Sequence, residues 1–446
     1  MDRRTADRQL DAPWAPSPRR DSLPADDDAR EQWFRDLAHQ ATVFGLPIVW
    51  QHALLQREAA ERPMSTFSHE RDLARPGFAA FRVPNVDTLY SSAWIDLTAG
   101  PVDVCLPDFG DRYFTVQLLD AASNVQNISR RTVGSARRVR LLAPGTPATP
   151  VEDGTVALTV GSPVTWALMR IQVGHDDVDE VRALQDAVAL VPVDGPSSLA
   201  VEPAGGDVED DAEAFFGTFD AALRLQGHRA EETALLARFR PLGVLDGTGD
   251  RHTSDDDAAR RGVERGYREA LSLLDASRPL LGTRDDSGWT RVADKGRHGY
   301  NYLSRAIMNF VGLAANVVDE NTSFNTYVDE HGVRLDGRDG SVHHLVLDPL
   351  PQTDAFWSVT LYEASTGHLW DAPDARYSVG SRSGGRDATT DGHITISHAP
   401  PATNTDSWLP APQGEFFLVL RVYSPGPDVV SGAWVPGPVR RVPVPR

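Results

Sequence analysis

The chain has 446 residues, 41% of them hydrophobic, and a formal net charge of -19 at pH 7. This length is enough for two or three domains with a sizeable core. The strong negative charge argues against nucleic acid or a membrane surface as a partner, because both are bound through clustered basic side chains.

The amino-terminal residues 1–30 are rich in charge and proline and lack hydrophobic periodicity, so they are predicted to form a disordered tail. They contain no apolar core of a secretion signal, and no run of about 18 apolar residues occurs anywhere to predict a membrane span. We therefore expect a cytoplasmic protein. The single cysteine, Cys105, excludes a disulfide within the chain. Of the 44 basic residues, only Lys295 is a lysine.

Regular structure is expected to begin near Glu31, where apolar residues such as Phe34 and Leu37 follow a helical period. The sequence Gly45-Leu46-Pro47 is expected to kink or split this helix. Short runs typical of strands follow, and residues 31–206 are predicted to form a helical lead-in and a first β-rich domain.

Amphipathic helical patterns occupy residues 207–318, which are predicted to form a helical connector. Strand patterns return over residues 319–446 and predict a second β-rich, jelly-roll-like domain. The predicted fold class is therefore mainly β with helices, as two β-sandwich or jelly-roll-like domains joined by the connector.

Several sequence motifs of catalysis are absent. The chain has no nucleophile elbow, phosphate loop, dinucleotide fingerprint or zinc-binding helix, so no cofactor is predicted. His343 and His344 are adjacent in a predicted strand and should point to opposite faces, which does not favour a shared metal. No metal is predicted.

The stretch "PNVDTLYSSAW" combines turn residues with a polar strand. Asn85 and Asp87 can accept hydrogen bonds from backbone NH groups two residues further on, which makes a structural turn one interpretation. Along the strand, Thr88, Tyr90, Ser92 and Trp94 share one face, and Asp87 falls on the other with Leu89 and Ser91. The alternative interpretation is a ligand-binding wall of amphipathic side chains. On that interpretation, Asp87 and Tyr90 are the candidate acid and base, and Thr88, Ser92 and Trp94 contact the ligand.

Further candidate ligand-binding residues lie elsewhere in the chain. Ser358 and Tyr362 occupy the polar face of the strand-like stretch "AFWSVTLYEA", and Asn124 follows a strand. Arg376 could hold a carboxylate or phosphate, although binding to backbone carbonyls of its own loop is the favoured interpretation. Tyr377 and Trp408 complete the set.

Two groups of motifs resemble known bacterial families. "PNVDTLYSSAWIDL" and "PDFGDRYFTVQLLDAASNV" are similar to domain of unknown function 1254, and "DAFWSVTLYEA" and "WLPAPQGEFFLVLRVYSP" are similar to its usual partner, domain of unknown function 1214. The resemblance implies two mainly β domains with helices packed around them, and it implies no activity. Ala372 and Ala375 replace two asparagines that members of the second family commonly carry.

The sequence supports two functional hypotheses. The first is a cofactor-independent enzyme that acts on a small organic metabolite in a cleft lined by aromatic and hydroxyl side chains. The second is a non-catalytic module that binds a carbohydrate or metabolite through aromatic platforms at Trp94, Trp357 and Trp408. Both expect a small-molecule ligand, and neither indicates an oligomeric state.

Overall fold

The computed structural model describes residues 23–78, 82–147, 151–174, 176–203, 205–245, 256–278, 281–381, 391–403 and 405–442. Most of the predicted tail, residues 1–22, lies outside this part of the chain. The mainly β fold with helices is confirmed, whereas the jelly-roll connectivity remains a prediction.

The α-helices are α1 (Asp27–Glu61), α2 (Arg130–Val133), α3 (Val178–Ala187), α4 (Ala212–Gln226), α5 (Thr233–Arg238), α6 (Asp257–Ser277), α7 (Tyr302–Val311) and α8 (Pro427–Ser431). Helix α1 begins at Asp27 rather than Glu31, because the Asp26 carboxylate caps it by accepting a hydrogen bond from the Ala29 NH. Of the two predicted outcomes at Pro47, a split is wrong, because the helix continues through Pro47 to Glu61.

The first domain contains two sheets. Its strands are β1 (Ser68–His69), β2 (Thr88–Asp96), β3 (Val102–Cys105), β4 (Phe114–Leu119), β5 (Val125–Ser129), β6 (Arg138–Leu142), β7 (Thr155–Thr159), β8 (Val164–Gln172) and β9 (Ala189–Pro192). One sheet has the order β1-β2-β8-β4-β5 and the other β7-β6-β3-β9. Alternate residues of both sheets, such as Leu89, Val104 and Ile171, form the core between them.

The second domain also contains two sheets. Its strands are β10 (Thr283–Arg284), β11 (Thr290–Arg291), β12 (Asn321–Thr326), β13 (Val342–Val346), β14 (Thr353–Glu363), β15 (Ser378–Gly380), β16 (His393–Ser397), β17 (Trp408–Pro410), β18 (Phe416–Pro425) and β19 (Arg440–Val442). The sheet orders are β10-β11-β12-β18-β14-β15 and β17-β16-β13-β19. Strands β10 and β11 lie inside the predicted helical connector, so that connector also contributes to the second domain.

In strand β13, His343 is buried and His344 is exposed. This agrees with the alternation predicted from the sequence.

Helices α1, α4, α6 and α7 share a separate apolar core. Helices α1 and α6 pack unusually closely, because two glycines of α6 face the backbone of α1. A Cβ atom at Gly262 would lie 2.3 Å from the carbonyl oxygen of Glu31, and one at Gly266 would lie 2.2 Å from that of Arg35. The absence of side chains at these two positions sets the distance between the helices.

Replacing Gly262 by alanine should therefore destabilise the protein, although alanine is intrinsically the better helix former by about 0.5–1 kcal/mol. Overpacking against a carbonyl should outweigh this gain and cost about 1–3 kcal/mol of unfolding free energy. Chemical denaturation of Gly262→Ala measures the change. The control is Gly414→Ala, because a Cβ atom at Gly414 meets no atom within 4 Å. An unchanged or raised stability of Gly262→Ala would contradict the prediction.

Candidate functional site: a cavity between the two domains

A cavity of about 140 Å³ lies between the five-stranded sheet of the first domain and the six-stranded sheet of the second domain. Strands β2 and β8 form one wall, strands β12 and β18 form the opposite wall, and the chain around helix α7 closes the side. Interfaces between domains are common places for small-molecule sites.

The wall from the first domain carries Tyr90 and Arg170, which are cross-strand neighbours on β2 and β8. The Arg170 guanidinium lies 5.3 Å from the centre of the Tyr90 ring. It donates hydrogen bonds to the side-chain oxygen of Gln117 and to the carbonyl of Ala314, the latter at 3.1 Å. Leu89 and Ile171, adjacent along the same strands, point into the sandwich core, so alternation turns Tyr90 and Arg170 toward the cavity.

The wall from the second domain follows the same alternation. Asn321, Ser323 and Asn325 of β12 line the cavity, whereas Phe324 packs into the core. Ser323 pairs with Arg421 across the sheet. The Arg421 guanidinium donates to the Tyr362 hydroxyl at 2.8 Å and to the Val83 carbonyl at 2.8 Å.

Lys295 lies in the same cavity and is only 5% exposed. Its Nζ donates to Asn321 Oδ1 at 3.2 Å and to Ser323 Oγ at 2.9 Å. Burial lowers the pKa of Lys295 well below its usual value, and the positive charges of Arg421 and Arg170 lower it further. The environment thus favours the neutral amine.

The cavity has a surplus of positive charge and of hydrogen-bond donors. Among the described residues, no carboxylate lines it, and none lies within 4.0 Å of the charged atoms of Lys295, Arg170 or Arg421. The Tyr113 hydroxyl and the side-chain NH₂ groups of Asn316 and Asn321 have no hydrogen-bond partner in the described part of the chain. Burial raises the pKa of Tyr113, which keeps its phenol protonated as a donor.

Tyr90 is the one predicted site residue that lines this cavity in the described structure. Its phenol oxygen accepts hydrogen bonds from the Asn85 backbone NH at 3.0 Å and from Asn85 Nδ2 at 2.6 Å. The Asn85 side-chain oxygen in turn accepts from the NH groups of Asp87 and Thr88 and from the Thr88 hydroxyl. The predicted turn at Asn85 is therefore present, and it also anchors Tyr90.

Asp87 lies directly behind the cavity wall. The prediction placed it on the opposite strand face from Tyr90, but strand β2 begins only at Thr88, so alternation does not extend to it. Its Oδ2 accepts hydrogen bonds from Ser358 Oγ at 2.6 Å and from the Tyr423 hydroxyl at 3.4 Å. Asp87 does not line the cavity itself, but it is hydrogen-bonded to Tyr423, which does.

Tyr362 joins the same interdomain network. It is fully buried and donates its hydroxyl hydrogen to the Pro84 carbonyl at 2.6 Å. Burial raises the pKa of Tyr362 to about 12. Ser358 and Tyr362 of the second domain therefore bind the turn of the first domain, and neither lines the cavity.

The remaining candidates lie elsewhere. Ser92 and Trp94 share the strand face of Tyr90, but helix α1 covers them and both donate to Glu58 Oε2. Asn124 binds Asp120, and Arg376 donates to the carbonyls of Thr405 and Asp406. Tyr377 packs in an apolar cluster, and Trp408 donates its indole NH to the Ser397 carbonyl at 3.0 Å.

The sequence interpretation missed Lys295, Arg170, Arg421 and Tyr113. Lys295 carried a usable signal, because a chain that uses arginine at every other basic position has a lysine there. Lysine differs from arginine in that burial can readily deprotonate it. For the two arginines and Tyr113, the sequence offered no comparable signal.

The described residues contain neither a metal-binding cluster nor a membrane-spanning helix. No group of three or more histidine, cysteine, aspartate or glutamate side chains is arranged to hold a metal ion. None of the helices described is both long and apolar enough to cross a membrane.

Comparison with known proteins identifies two families of unknown function. Residues 64–192 match the family described as "Protein of unknown function (DUF1254)", and residues 320–427 match "Protein of unknown function (DUF1214)". The structure is similar to that of the VPA0106 protein from Vibrio parahaemolyticus, at 19% identity and a TM-score of 0.66, covering 92% of this chain and 100% of that one. It also matches an uncharacterised protein from Burkholderia cenocepacia at 14% identity and a TM-score of 0.45, covering 98% and 93%. No curated protein matches the chain.

Replacing Tyr90 by phenylalanine should destabilise the fold. The change leaves two buried NH donors of Asn85 without their acceptor, which should cost about 1–3 kcal/mol of unfolding free energy. The matched control is Tyr300→Phe, because the Tyr300 side chain is 68% exposed and should lose nothing measurable. Equal stabilities of the two variants would show that the Asn85–Tyr90 contact is not structural.

Replacing Lys295 by methionine should change how stability depends on pH. The pKa of Lys295 is lowered in the folded state, so between that pKa and 10.5 the unfolded chain binds more protons than the folded one. This contribution makes the wild type more stable as the pH rises toward 10.5, and Lys295→Met lacks it. Unfolding free energies of both proteins from pH 6 to pH 10 give the difference. A difference that does not vary with pH would mean that Lys295 is not neutralised by folding.

Proposed function

The chain belongs to the proteins that join DUF1254 to DUF1214, and we propose that its interdomain cavity binds and transforms a small organic acid without an organic cofactor. The ligand's carboxylate lies between Arg170 and Arg421, and its apolar part lies against the chain around helix α7.

The observation that carries this proposal is the burial of two arginines without a carboxylate partner among the described residues. Arg170 and Arg421 are each only 8% exposed, and their hydrogen bonds go to neutral oxygens. A buried charge is costly unless an opposite charge compensates it. A carboxylate ligand supplies that charge and accepts charge-assisted hydrogen bonds.

The unpaired donors support an acceptor-rich ligand. Tyr113, Asn316 and Asn321 present hydrogen atoms at the cavity wall without a partner in the described chain. A carboxylate and a second oxygen of the ligand would satisfy them, whereas a hydrocarbon would leave them unpaired.

The apolar side chains of the cavity indicate a ligand with an apolar body. This part of the lining includes Leu281, Val292, Met308, Val311 and Phe417. Such a combination of apolar lining with a few convergent polar groups is typical of sites for small metabolites.

A catalytic role is favoured over simple binding because the cavity contains a titratable group with a perturbed pKa, Lys295. The alternative of a carbohydrate-binding module relied on aromatic platforms. Trp94, Trp357 and Trp408 are at most 7% exposed, so they offer no accessible stacking surface.

Carboxylate binding is tested by thermal unfolding with acetate, butyrate and benzoate, each compared with its neutral amide. A ligand that binds the folded state raises the melting temperature, so we expect a rise with at least one acid and none with the amides. Arg421→Gln and Arg170→Gln should each weaken binding at least about tenfold, because a charge-assisted hydrogen bond contributes about 1.5–3 kcal/mol.

The matched control is Arg440→Gln, which removes an exposed arginine outside the cavity and should bind as the wild type does. Circular dichroism establishes that each variant is folded. Stabilisation by the amides as strongly as by the acids, or unchanged binding in both arginine variants, would refute an anion site.

A further inference from the structure

We propose that Lys295 is the nucleophile of this cavity and that it forms an imine with the carbonyl carbon of a 2-oxo acid. This inference rests on the proposed function, since it names the substrate class of the same site. The carboxylate of a 2-oxo acid meets the two arginines, and its carbonyl group lies within the cavity that Lys295 enters.

The position of Lys295 is fixed by its loop between β11 and α7. The next residue, Gly296, has a φ of +71°, and a Cβ atom there would lie 3.1 Å from the Val317 nitrogen. The Gly296 carbonyl accepts a hydrogen bond from the Val125 NH at 2.8 Å. These constraints hold the backbone of the lysine against the first domain, while its side chain reaches the second.

The hydrogen bonds of Lys295 leave a lone pair for attack. Ser323 Oγ donates its own hydrogen to Asn321 Oδ1 at 2.9 Å, so both oxygens act as acceptors toward Lys295 Nζ. A neutral amine has two hydrogens and one lone pair. The two acceptors hold the hydrogens, and the lone pair is directed away from them.

Electrostatics support the neutral form. Lysines are activated as nucleophiles by desolvation and by nearby cations. Burial lowers the pKa of Lys295, and Arg421, Arg170 and Arg291 reinforce the effect. Among the described residues no carboxylate is close enough to form an ion pair that would restore the charge.

The reaction balances without an oxidant or reductant. Lys295 Nζ forms a bond to the carbonyl carbon, the π electrons move to the carbonyl oxygen, and a proton from nitrogen is transferred to that oxygen. The hydroxyl oxygen of the resulting carbinolamine then takes a proton, the C–O bond breaks to release water, and the nitrogen lone pair forms the C=N bond. The N–H proton of this iminium returns to the group that protonated the oxygen, which leaves the neutral imine. Tyr113 is the proton donor we assign to the oxygen, because its buried phenol lines the cavity and has no partner among the described residues.

Reductive trapping tests the imine directly, and the composition of this chain makes the test unusually specific. The full chain is incubated with pyruvate or phenylpyruvate and sodium cyanoborohydride at pH 7, and the adduct is located by peptide mass spectrometry. Lys295 is the only lysine, so the one other primary amine is at the amino terminus. That terminus serves as an internal reference in every sample.

We expect one reduced adduct on Lys295, formed at least about tenfold faster than on Nα-acetyl-lysine, of which only roughly one amine in a few thousand is neutral at pH 7. Lys295→Met should carry the adduct only at its amino terminus. Denatured wild type should lose the rate advantage. Tyr113→Phe should slow trapping even at a saturating concentration of the 2-oxo acid, because it lacks the hydroxyl that protonates the carbinolamine oxygen.

The possible failures are distinguishable. If pyruvate or phenylpyruvate stabilises the wild type but not Arg421→Gln, and no Lys295 adduct forms, Lys295 is an anion-binding group and the imine is refuted. If acetone labels Lys295 as fast as the oxo acids do and no carboxylate binds, the lysine is nucleophilic but the anion site is refuted. If Lys295 reacts no faster than the free amino acid, its activation is refuted.

Discussion

Residues 83–90 are hydrogen-bonded to both domains, and the cavity depends on this shared segment. The carbonyls of Val83 and Pro84 accept hydrogen bonds from Arg421 and Tyr362, respectively. The Asp87 carboxylate accepts one from Ser358. Tyr90, a few residues further on, belongs to the sheet of the first domain. The segment therefore fixes Tyr90 and Arg170 opposite Arg421 and Ser323, so the cavity walls keep a defined spacing.

The same arrangement explains why a fold that buries cations can remain stable. Arg421 and Arg170 donate hydrogen bonds to neutral oxygens, which partly replaces their hydration. The closely packed helical core and the two sandwich cores supply the apolar burial that offsets the remaining cost. Binding sites commonly retain such local destabilisation because function requires it.

The sequence predicted the local structure well and the tertiary placement poorly. Strand alternation identified the polar face of β2, and turn chemistry identified the role of Asn85, because both depend on neighbouring residues. Alternation could not show that two different structural elements pack against this one polar face. Helix α1 covers Trp94, whereas the second domain covers Tyr90.

Asp87 and Lys295 illustrate two further limits. The face of Asp87 depended on whether the strand began one residue earlier, which sequence patterns do not determine to that accuracy. Lys295 lies in a loop, where no periodicity assigns a direction to the side chain. Only the docking of the two domains brings it beside Asn321 and Arg421.

The long separation along the chain between interacting residues also sets an order of assembly. The hydrogen bonds that connect residues 83–90 to the second domain span from 271 to 338 positions. At a synthesis rate of about 5–20 residues per second, the first sandwich waits from about 15 seconds to about a minute for its partners to leave the ribosome. During that interval the second-domain wall of the cavity is missing, and so are the Ser358 and Tyr423 hydroxyls that donate to Asp87. The cavity is complete only after Tyr423 has left the ribosome, so it forms late in the synthesis of the chain.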